Sequence, residues 1–275
     1  MSDTVELELE RQVLRAGEKV QGVLLVHGIP HYEWIKVELH GEEVLGANST
    51  AFSVVYPVVE KGLRLAEKGE ALSEQRFPIE FELPDDCPPS YASRELRCHY
   101  FLKIQVRRGG WHRDVVKRVP LTLLPAEALM ASTTPRELLI QEGSLSLTVR
   151  LDFAGLMTGE SLTGSLVLDQ TEEGVALPNK LTFRFAAIEE STSRAFSHRE
   201  VLWLVTHDVE PDDDATLPLT GVFEFPVAED APFSGTWNGF RLHYGFRVGM
   251  FLANGKDVRE SLPIRVYRRY TPIPS

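Results

Sequence analysis

The densest set of basic side chains lies in residues 107–118, where Gly109-Gly110 predicts a tight turn between two strands. Basic side chains grouped on a hairpin can hold a phosphate or a carboxylate through charge-assisted hydrogen bonds. The alternative interpretation is a solvated hairpin whose positive charge protects the sheet edge from pairing with other chains. The candidate anion-binding residues are Arg107, Arg108, Arg113, Lys117 and Arg118.

Two further motifs have a functional and a structural interpretation. The run Pro88-Pro89-Ser90-Tyr91 matches PPxY, the ligand motif of WW domains, but its position at a strand entry favours a packed Tyr91. The acidic run Glu210-Pro211-Asp212-Asp213-Asp214 is predicted to be a solvated turn, because it lacks the spaced ligands and the glycine of a calcium-binding EF-hand loop.

No residue pattern in the sequence indicates an enzyme. The paired carboxylates Glu42-Glu43 and Glu189-Glu190 follow matching strands and are predicted to be solvent-facing strand ends rather than an acid and base pair. Cys87 and Cys98 have no metal-like spacing with histidines, and we expect both to be free thiols. We therefore predict no catalytic residue, no metal and no cofactor.

Length and composition narrow the class of protein. A chain of 275 residues predicts two domains, and 43% hydrophobic residues suffice for a core in each. The net charge of −11 argues against nucleic acid as the main partner, because the summed field repels a polyanion. The start of the chain has no apolar leader and no stretch is long enough to cross a bilayer, so we expect a cytoplasmic protein that is not integral to a membrane.

Alternation of apolar and polar residues predicts an all-β protein. Val5, Leu7 and Leu9 alternate with glutamates, and similar short runs recur along the chain between turn residues. This pattern is typical of antiparallel strands with one wet face. Helical periodicity is limited to residues 61–75 and 126–131, where we expect at most short helical turns inside connections.

Three segments of the first half recur in order in the second half. Residues 17–26 match 159–168, residues 81–84 match 223–226, and residues 97–100 match 241–244. The first two matches have an offset of 142 and the third an offset of 144. The order indicates duplicated domains, which we place at residues 1–127 and 128–275, with the boundary inside 124–137.

The repeated residues are predicted to be architectural. The first glycine of each copy, Gly17 or Gly159, suits a turn with positive φ, and the second, Gly22 or Gly164, suits a bend or bulge in a strand. The tyrosines of the third match are expected to anchor a sandwich corner.

The same segments carry a family resemblance. The glycine motif, Ile35–Glu43, Phe81–Tyr91 and Arg94–Val106 together resemble the arrestin N-like domain, and the second half resembles its C-like partner. The resemblance implies two tandem immunoglobulin-like antiparallel β-sandwich domains. Because the chain stops soon after its last predicted strand, it is most similar in plan to compact arrestin-like proteins such as bacterial sporulation-control factors.

The resemblance implies a non-catalytic protein-binding scaffold or adaptor in regulation or trafficking. An alternative function is the binding of a small ligand, or of an anionic lipid or phosphate, through the basic hairpin. Residues 45–75 are predicted to pair in part as a strand, with 60–74 as a mobile partner-contact segment. Exposed edge strands offer a second route to a partner, or to a homo-oligomer.

Overall fold

The computed structural model describes residues 4–48, 53–110, 112–125, 134–172, 176–212 and 215–268. These residues form an all-β protein of mainly antiparallel sheets. The predicted linker is only partly covered, since residues 126–133 lie outside the described ranges. In the ranges that are described, no helix is long and apolar enough to cross a membrane.

The chain divides into two compact units. Unit 1 comprises Met1–Ala126 with the short segments Ser193–Phe196 and Trp237–Gly239, and unit 2 comprises Glu127–Thr192, Ser197–Thr236 and Phe240–Ser275.

The strands of unit 1 are β1 Thr4–Leu9, β2 Val13–Arg15, β3 Lys19–His27, β4 Ile29–Tyr32, β5 Trp34–Leu45, β6 Val54–Ala66, β7 Gly69–Ala71, β8 Gln75–Glu82, β9 Tyr91–Ala92, β10 Leu96–Arg107 and β11 Val115–Leu124. They form a small sheet in the order β1-β3-β8 and a large sheet in the order β2-β11-β10-β5-β6, to which β9 adds beside β10. Strands β4 and β7 pair separately.

The strands of unit 2 are β12 Arg136–Glu142, β13 Leu145–Leu151, β14 Gly155–Met157, β15 Ser161–Gln170, β16 Lys180–Ser191, β17 Arg199–Val209, β18 Leu219–Pro226, β19 Gly235–Thr236, β20 Phe240–Phe251 and β21 Asp257–Tyr267. The small sheet has the order β12-β13-β15-β18, and the large sheet has the order β14-β21-β20-β16-β17 with β19 beside β20. Apart from β12, β4 and β7, every strand has a counterpart in the other unit.

The core of each unit lies between its two sheets, in a sandwich-like arrangement. In unit 2, aromatic rings join the sheets: Phe183 stacks on Phe223 with ring centroids 5.6 Å apart, and Phe223 stacks on Phe246 at 5.3 Å. Inward residues of the large sheet of unit 1, such as Leu39 and Leu102, are fully buried. This burial of alternate residues is the source of the period-2 pattern in the sequence.

Tyr100 and Tyr244, the tyrosines predicted to anchor a corner, are both buried and make equivalent hydrogen bonds in the two units. The Tyr100 hydroxyl donates to the Pro88 carbonyl over 2.7 Å, and the Tyr244 hydroxyl donates to the Pro232 carbonyl over 2.5 Å. Beside each tyrosine a serine caps the last strand: Ser90 accepts from the Leu123 N–H, and Ser234 accepts from the Val266 N–H. The tyrosines, prolines and serines of the two sets are 144 residues apart along the chain, and Leu123 and Val266 are 143 apart.

Strand register corrects one of the sequence matches. Val20 lies opposite Phe81 in unit 1, and Leu162 lies opposite Phe225 in unit 2. The structural counterpart of Phe81 is therefore Phe225, two residues beyond the Phe223 of the sequence match. The error arose because inward residues of a strand repeat every second position, so a shift by two preserves the pattern.

Two other expectations were wrong. Residues 61–75 hold no helical turn: β6 continues to Ala66 and β7 follows, so most of the segment expected to be mobile is strand. Gly109 and Gly110 do not form a two-residue turn, because β10 ends at Arg107 and β11 begins at Val115. Gly110 nevertheless has positive φ, as do Gly17 and Gly159.

The second glycine of each repeat allows close approach of the neighbouring strand rather than a bulge. A Cβ atom at Gly22 would lie 2.3 Å from the Glu8 carbonyl oxygen, and one at Gly164 would lie 2.4 Å from the Arg150 carbonyl oxygen. No register shift interrupts either strand pair.

We expect Gly22→Ala and Gly164→Ala each to lower the free energy of unfolding by about 1–3 kcal/mol, because the added methyl group collides with backbone. Urea denaturation of the purified chain measures the change. Gly221→Ala is the matched control: its Cβ would lie at least 3.5 Å from any other side chain, so stability should stay the same or rise slightly. Equal losses in all three variants would contradict the close-approach explanation.

Candidate binding surfaces

The basic hairpin has its first arginine already paired. Arg107 lies 3.3 Å from Asp114 and 3.6 Å from Glu33 through its guanidinium nitrogens. The Arg108 backbone N–H donates to the Asp114 carboxylate over 2.9 Å. The two carboxylates supply the negative charge that an external anion would otherwise bring.

The remaining hairpin cations point in different directions. Lys117 donates to the Val5 carbonyl of β1, on the inward side of the strand. Arg118 lies on the outward side, with its guanidinium 4.8 Å from the centre of the Phe101 ring. Arg113 is exposed in the connection, and Trp111 lies outside the described residues. The five predicted anion-binding residues therefore do not converge on one point.

The outward face of the large sheet in unit 1 is centred on one nearly buried carboxylate, Glu38. It accepts a hydrogen bond from Lys36, lies 3.3 Å from the Lys103 ammonium, and lies 3.5 Å from His40 Nε2. Burial alone would raise the pKa of Glu38, but hydrogen bonds from Lys36, Lys103 and His40 outweigh it and hold the pKa at about 2. Glu38 thus supplies the counter-charge for Lys36 and Lys103.

Rings cover the sheet beside Glu38. His40 stacks on Phe101 with centroids 5.1 Å apart, and His99 stacks near the same ring at 5.8 Å. Burial lowers the pKa of His99, although the charge of Glu42 opposes the shift. A cavity of about 430 Å³ adjoins this stack between β9 and β11, with Arg118 and Pro120 in its wall.

We expect Glu38→Gln to lower the free energy of unfolding by about 1–3 kcal/mol at neutral pH, because Lys36 and Lys103 lose their counter-charge. The folded-state pKa of about 2 lies below the ordinary glutamate pKa of 4.5, so this stabilisation is present above pH 4.5 and is lost as pH falls through 2. Urea denaturation of the wild type and of Glu38→Gln between neutral and acidic pH measures the difference in their free energies of unfolding.

The control for that comparison is Glu42→Gln, on the same strand and the same face, where the carboxylate is one-third exposed and lies 3.5 Å from His99. It should cost under about 1 kcal/mol. A gap between wild type and Glu38→Gln that stayed constant down to acidic pH would show that lost packing, not lost charge, causes the effect.

The outward face of the large sheet in unit 2 has the opposite character. Arg184 on β16 lies directly opposite Arg247 on β20. Within the described part of the chain, neither guanidinium has a carboxylate at ion-pair distance. Like charges directly opposite each other destabilise a sheet.

Next to this pair the surface opens into a groove of about 410 Å³. Its floor includes Ala186 opposite Gly245, and a Cβ atom added at Gly245 would meet nothing within 4 Å. Leu204 and Pro263 flank the floor on the neighbouring strands. The groove therefore combines two cations at one end with an apolar bed.

The edge strands of the two small sheets also differ. In the described ranges β8 pairs only with β3, and β18 pairs only with β15. Register places Pro78 and Val222 at equivalent positions, opposite Val23 and Ser165. A proline within an edge strand removes a backbone donor and disfavours pairing of a further strand, whereas Val222 is 86% exposed and keeps its N–H, and the proline of β18, Pro226, is its last residue.

One row of outward residues beside β18 is uncharged, although Arg150 and Glu224 are exposed on the same face. Leu139, Thr148, Val167 and Thr220 form one row across the four strands, and both aliphatic members of the row are exposed. The counterpart face in unit 1 carries ions, including the pair of Lys19 with Glu80 at 2.6 Å.

One group of side chains has the spacing that a metal ion would need. Donor atoms of Glu189, His198 and Glu200 lie within 4.8 Å of one another. Glu189 and Glu200 are direct partners across β16 and β17, and His198 Nε2 lies 3.0 Å from Glu189 and 3.8 Å from Glu200. The imidazole between the two carboxylates accounts for their closeness, so we assign no metal here.

The prediction that the carboxylate pairs face solvent was wrong for one member of each pair. Glu43 and Glu189 are both 0% exposed. Glu43 accepts hydrogen bonds from the backbone N–H groups of Asn238 and Gly239, each over 3.1 Å, inside unit 1. Burial raises the pKa of Glu43 against the opposing effect of these bonds. Alternation puts Glu43 on the same face as Leu39, and Glu189 on the same face as Phe185, but carboxylates were expected to face solvent.

The PPxY motif is engaged within unit 1. The Tyr91 ring lies 5.0 Å from the Trp237 ring, and the Trp237 indole donates to the Pro89 carbonyl over 3.0 Å. The Ser90 N–H donates to Leu123 and the Pro88 carbonyl accepts from Tyr100. The acidic run at 210–214 is described only to residue 212, where Glu210 is exposed.

Comparison of the chain with protein-family models and with curated proteins gives no match. The site therefore has to be interpreted from its own residues. Sequence reasoning missed the Arg184 and Arg247 pair, because each is an ordinary polar position on an alternating strand. Only the register between β16 and β20 brings the two together.

Proposed function

We propose that this chain is a non-catalytic arrestin-like scaffold, built from two immunoglobulin-like β-sandwich domains, that binds protein partners in regulation or trafficking. The matching strand orders of the two units support the duplicated-domain part of the proposal. So do the matching hydrogen bonds of the Tyr100 and Tyr244 corners.

The observation that carries protein binding is the open edge of β18 with Val222 exposed on it. A partner segment in extended conformation can add to such an edge through backbone hydrogen bonds, with side-chain contacts supplying specificity. The uncharged row that contains Leu139 and Val167 continues the surface away from the edge. Unit 1 protects its equivalent strand with Pro78, which leaves unit 2 as the partner-binding unit in this proposal.

The non-catalytic part rests on the roles of the perturbed groups. Burial raises the pKa of Cys98 to about 12, so its thiol is not a ready nucleophile. The lowered pKa of Glu38 follows from ion pairs with lysines of its own sheet face. Cys87 and Cys98 are unbridged, which favours the proposed cytoplasmic location, where thiols stay reduced.

The alternative function, an anionic ligand on the basic hairpin, has less support. Arg107 is already paired with Glu33 and Asp114, and Lys117 faces away from Arg118. What favours it is Arg118 itself, which lies in the wall of the cavity of about 430 Å³ in unit 1.

We expect a photoreactive residue placed at Glu224 on β18 to crosslink a partner protein in extract of the native host. The same probe at Glu80, the equivalent position on β8, should give little product, because Pro78 protects that edge. Adding Val222→Lys to the Glu224 probe should lower the yield by about fivefold or more, because a charge replaces an apolar contact at the edge. Mass spectrometry identifies and quantifies the product.

Val116→Lys is the matched control, since Val116 is also an exposed valine but lies in unit 1. It should leave the yield unchanged. Equal yields from the probes at 224 and 80, or a yield indifferent to Val222→Lys, would refute the edge-strand scaffold. A product consisting only of a second copy of this chain would replace the adaptor with a homo-oligomer.

A further inference from the structure

The groove in unit 2 can be compared with the equivalent place on the large sheet of unit 1. The corner tyrosines align the two large sheets: Tyr100 lies opposite Gly41, and Tyr244 lies opposite Ala187. Three residues beyond each tyrosine, Lys103 lies opposite Glu38 and Arg247 lies opposite Arg184. An acid-base pair in one unit is thus a pair of two bases in the other.

The same alignment shows that side-chain volume is missing from unit 2. One residue beyond the tyrosines, Phe101 lies opposite His40 with the rings stacked, whereas Gly245 lies opposite Ala186. The strand that follows has a proline beside both positions, Pro120 in unit 1 and Pro263 in unit 2. The groove of about 410 Å³ therefore occupies the place where unit 1 holds two rings.

Charged neighbours do not cancel the arginine pair. Asp208, on the edge strand opposite Thr182, lies 3.2 Å from Lys180 and also interacts electrostatically with Arg184, so its single charge is divided between two cations. At the far end of the groove Glu190 is shared by Arg241 and Arg199, with His243 Nδ1 3.9 Å away. Burial lowers the pKa of His243, so that residue adds no fixed charge at neutral pH. The end formed by Arg184 and Arg247 keeps its positive charge.

We propose that this groove binds a small aromatic carboxylate. The carboxylate lies between the Arg184 and Arg247 guanidinium groups, as the Glu38 carboxylate lies beside Lys103 in unit 1. The ring lies over Gly245 and Ala186, in the space that Phe101 and His40 fill in unit 1. The volume falls within the range of small-ligand pockets, about 300–1,000 Å³. This site is separate from the β18 edge and goes beyond the proposed scaffold function.

The test uses the purified full chain and 2-naphthoate, whose fluorescence reports binding directly. We expect saturable binding, weakened by about tenfold or more when the neutral alcohol 2-naphthalenemethanol replaces the acid, because two charge-assisted contacts are lost. Inorganic phosphate, which has charge but no ring, should compete only weakly. The tripeptide Gly-Gly-Phe offers the same carboxylate and ring at a chain terminus, and should bind more weakly than 2-naphthoate.

Two variants restore in unit 2 what unit 1 has at the same positions. Arg184→Glu creates an acid opposite Arg247, and Gly245→Phe places a ring in open space, so both should fold as well as wild type by thermal denaturation. Each should weaken 2-naphthoate binding by about tenfold or more. Arg150→Glu, an equal charge change at an exposed arginine of the small sheet, should leave the affinity unchanged. Arg184→Lys keeps the charge and should lose less than Arg184→Glu.

Several results would overturn the proposal. One is that the folded wild-type chain does not bind 2-naphthoate saturably. Another is that Arg184→Glu or Gly245→Phe leaves the affinity for 2-naphthoate unchanged. A third is that phosphate binds as tightly as 2-naphthoate. Tighter binding of Gly-Gly-Phe would instead assign the groove to a protein C-terminus. If either variant failed to fold, Arg184→Lys and the neutral alcohol would still test the charge requirement. None of these outcomes bears on crosslinking at β18, so the two proposals fail independently.

Discussion

The pairing of the two central strands in each large sheet is the constraint on which the other features depend. In unit 1 the Tyr100 ring lies across from Gly41, where an added Cβ would come within 2.5 Å of the ring. The Tyr100 hydroxyl is held at the same time by the Pro88 carbonyl. A strand tied at such a point cannot slip by one or two residues, and slippage by one would turn every buried side chain toward solvent. Unit 2 repeats the tie through Tyr244 and Pro232.

A fixed register lets the outward faces differ without cost to the core. Most inward positions of both units carry large apolar side chains, whereas outward side chains need to match only their neighbours across the strands. At one such pair of positions unit 1 has Glu38 and Lys103, and unit 2 has Arg184 and Arg247. In unit 1 the opposite charges pair with each other, and the lysines hold the pKa of Glu38 at about 2. In unit 2 the two arginines leave charge that a ligand can neutralise.

The edge strands show the same division between the units. Pro78 closes the edge of β8, and the ion pair of Lys19 with Glu80 covers the face beside it. Val222 stands at the equivalent point of β18, next to an uncharged row of outward residues. At both places unit 1 uses its own residues: Lys103 pairs with Glu38 on the sheet face, and Pro78 protects the edge strand. Unit 2 has no such pair or proline at the equivalent positions. Both of our proposals therefore locate binding in unit 2, one at an edge and one on a sheet face.

Features that depend on local alternation or on a single backbone conformation were determined by the sequence alone. The all-β class follows from period-2 runs, the positive φ of Gly17 and Gly159 from their turns, and the corner role of Tyr100 and Tyr244 from their repeated setting. Each of these signals is carried by residues close together in the chain, where propensity and pattern act directly.

Tertiary structure alone decided which residues face each other. Alternation tells that Arg184 and Arg247 point outward, but not that they lie opposite one another, since that depends on the register of two strands far apart in the chain. For the same reason the match of Phe81 to Phe223 was two residues out. The burial of Glu43 was missed for another reason, since a carboxylate was expected to face solvent even on the inward side of its strand. A period of two residues fixes the face of a side chain and leaves its partner undetermined until the strands pair.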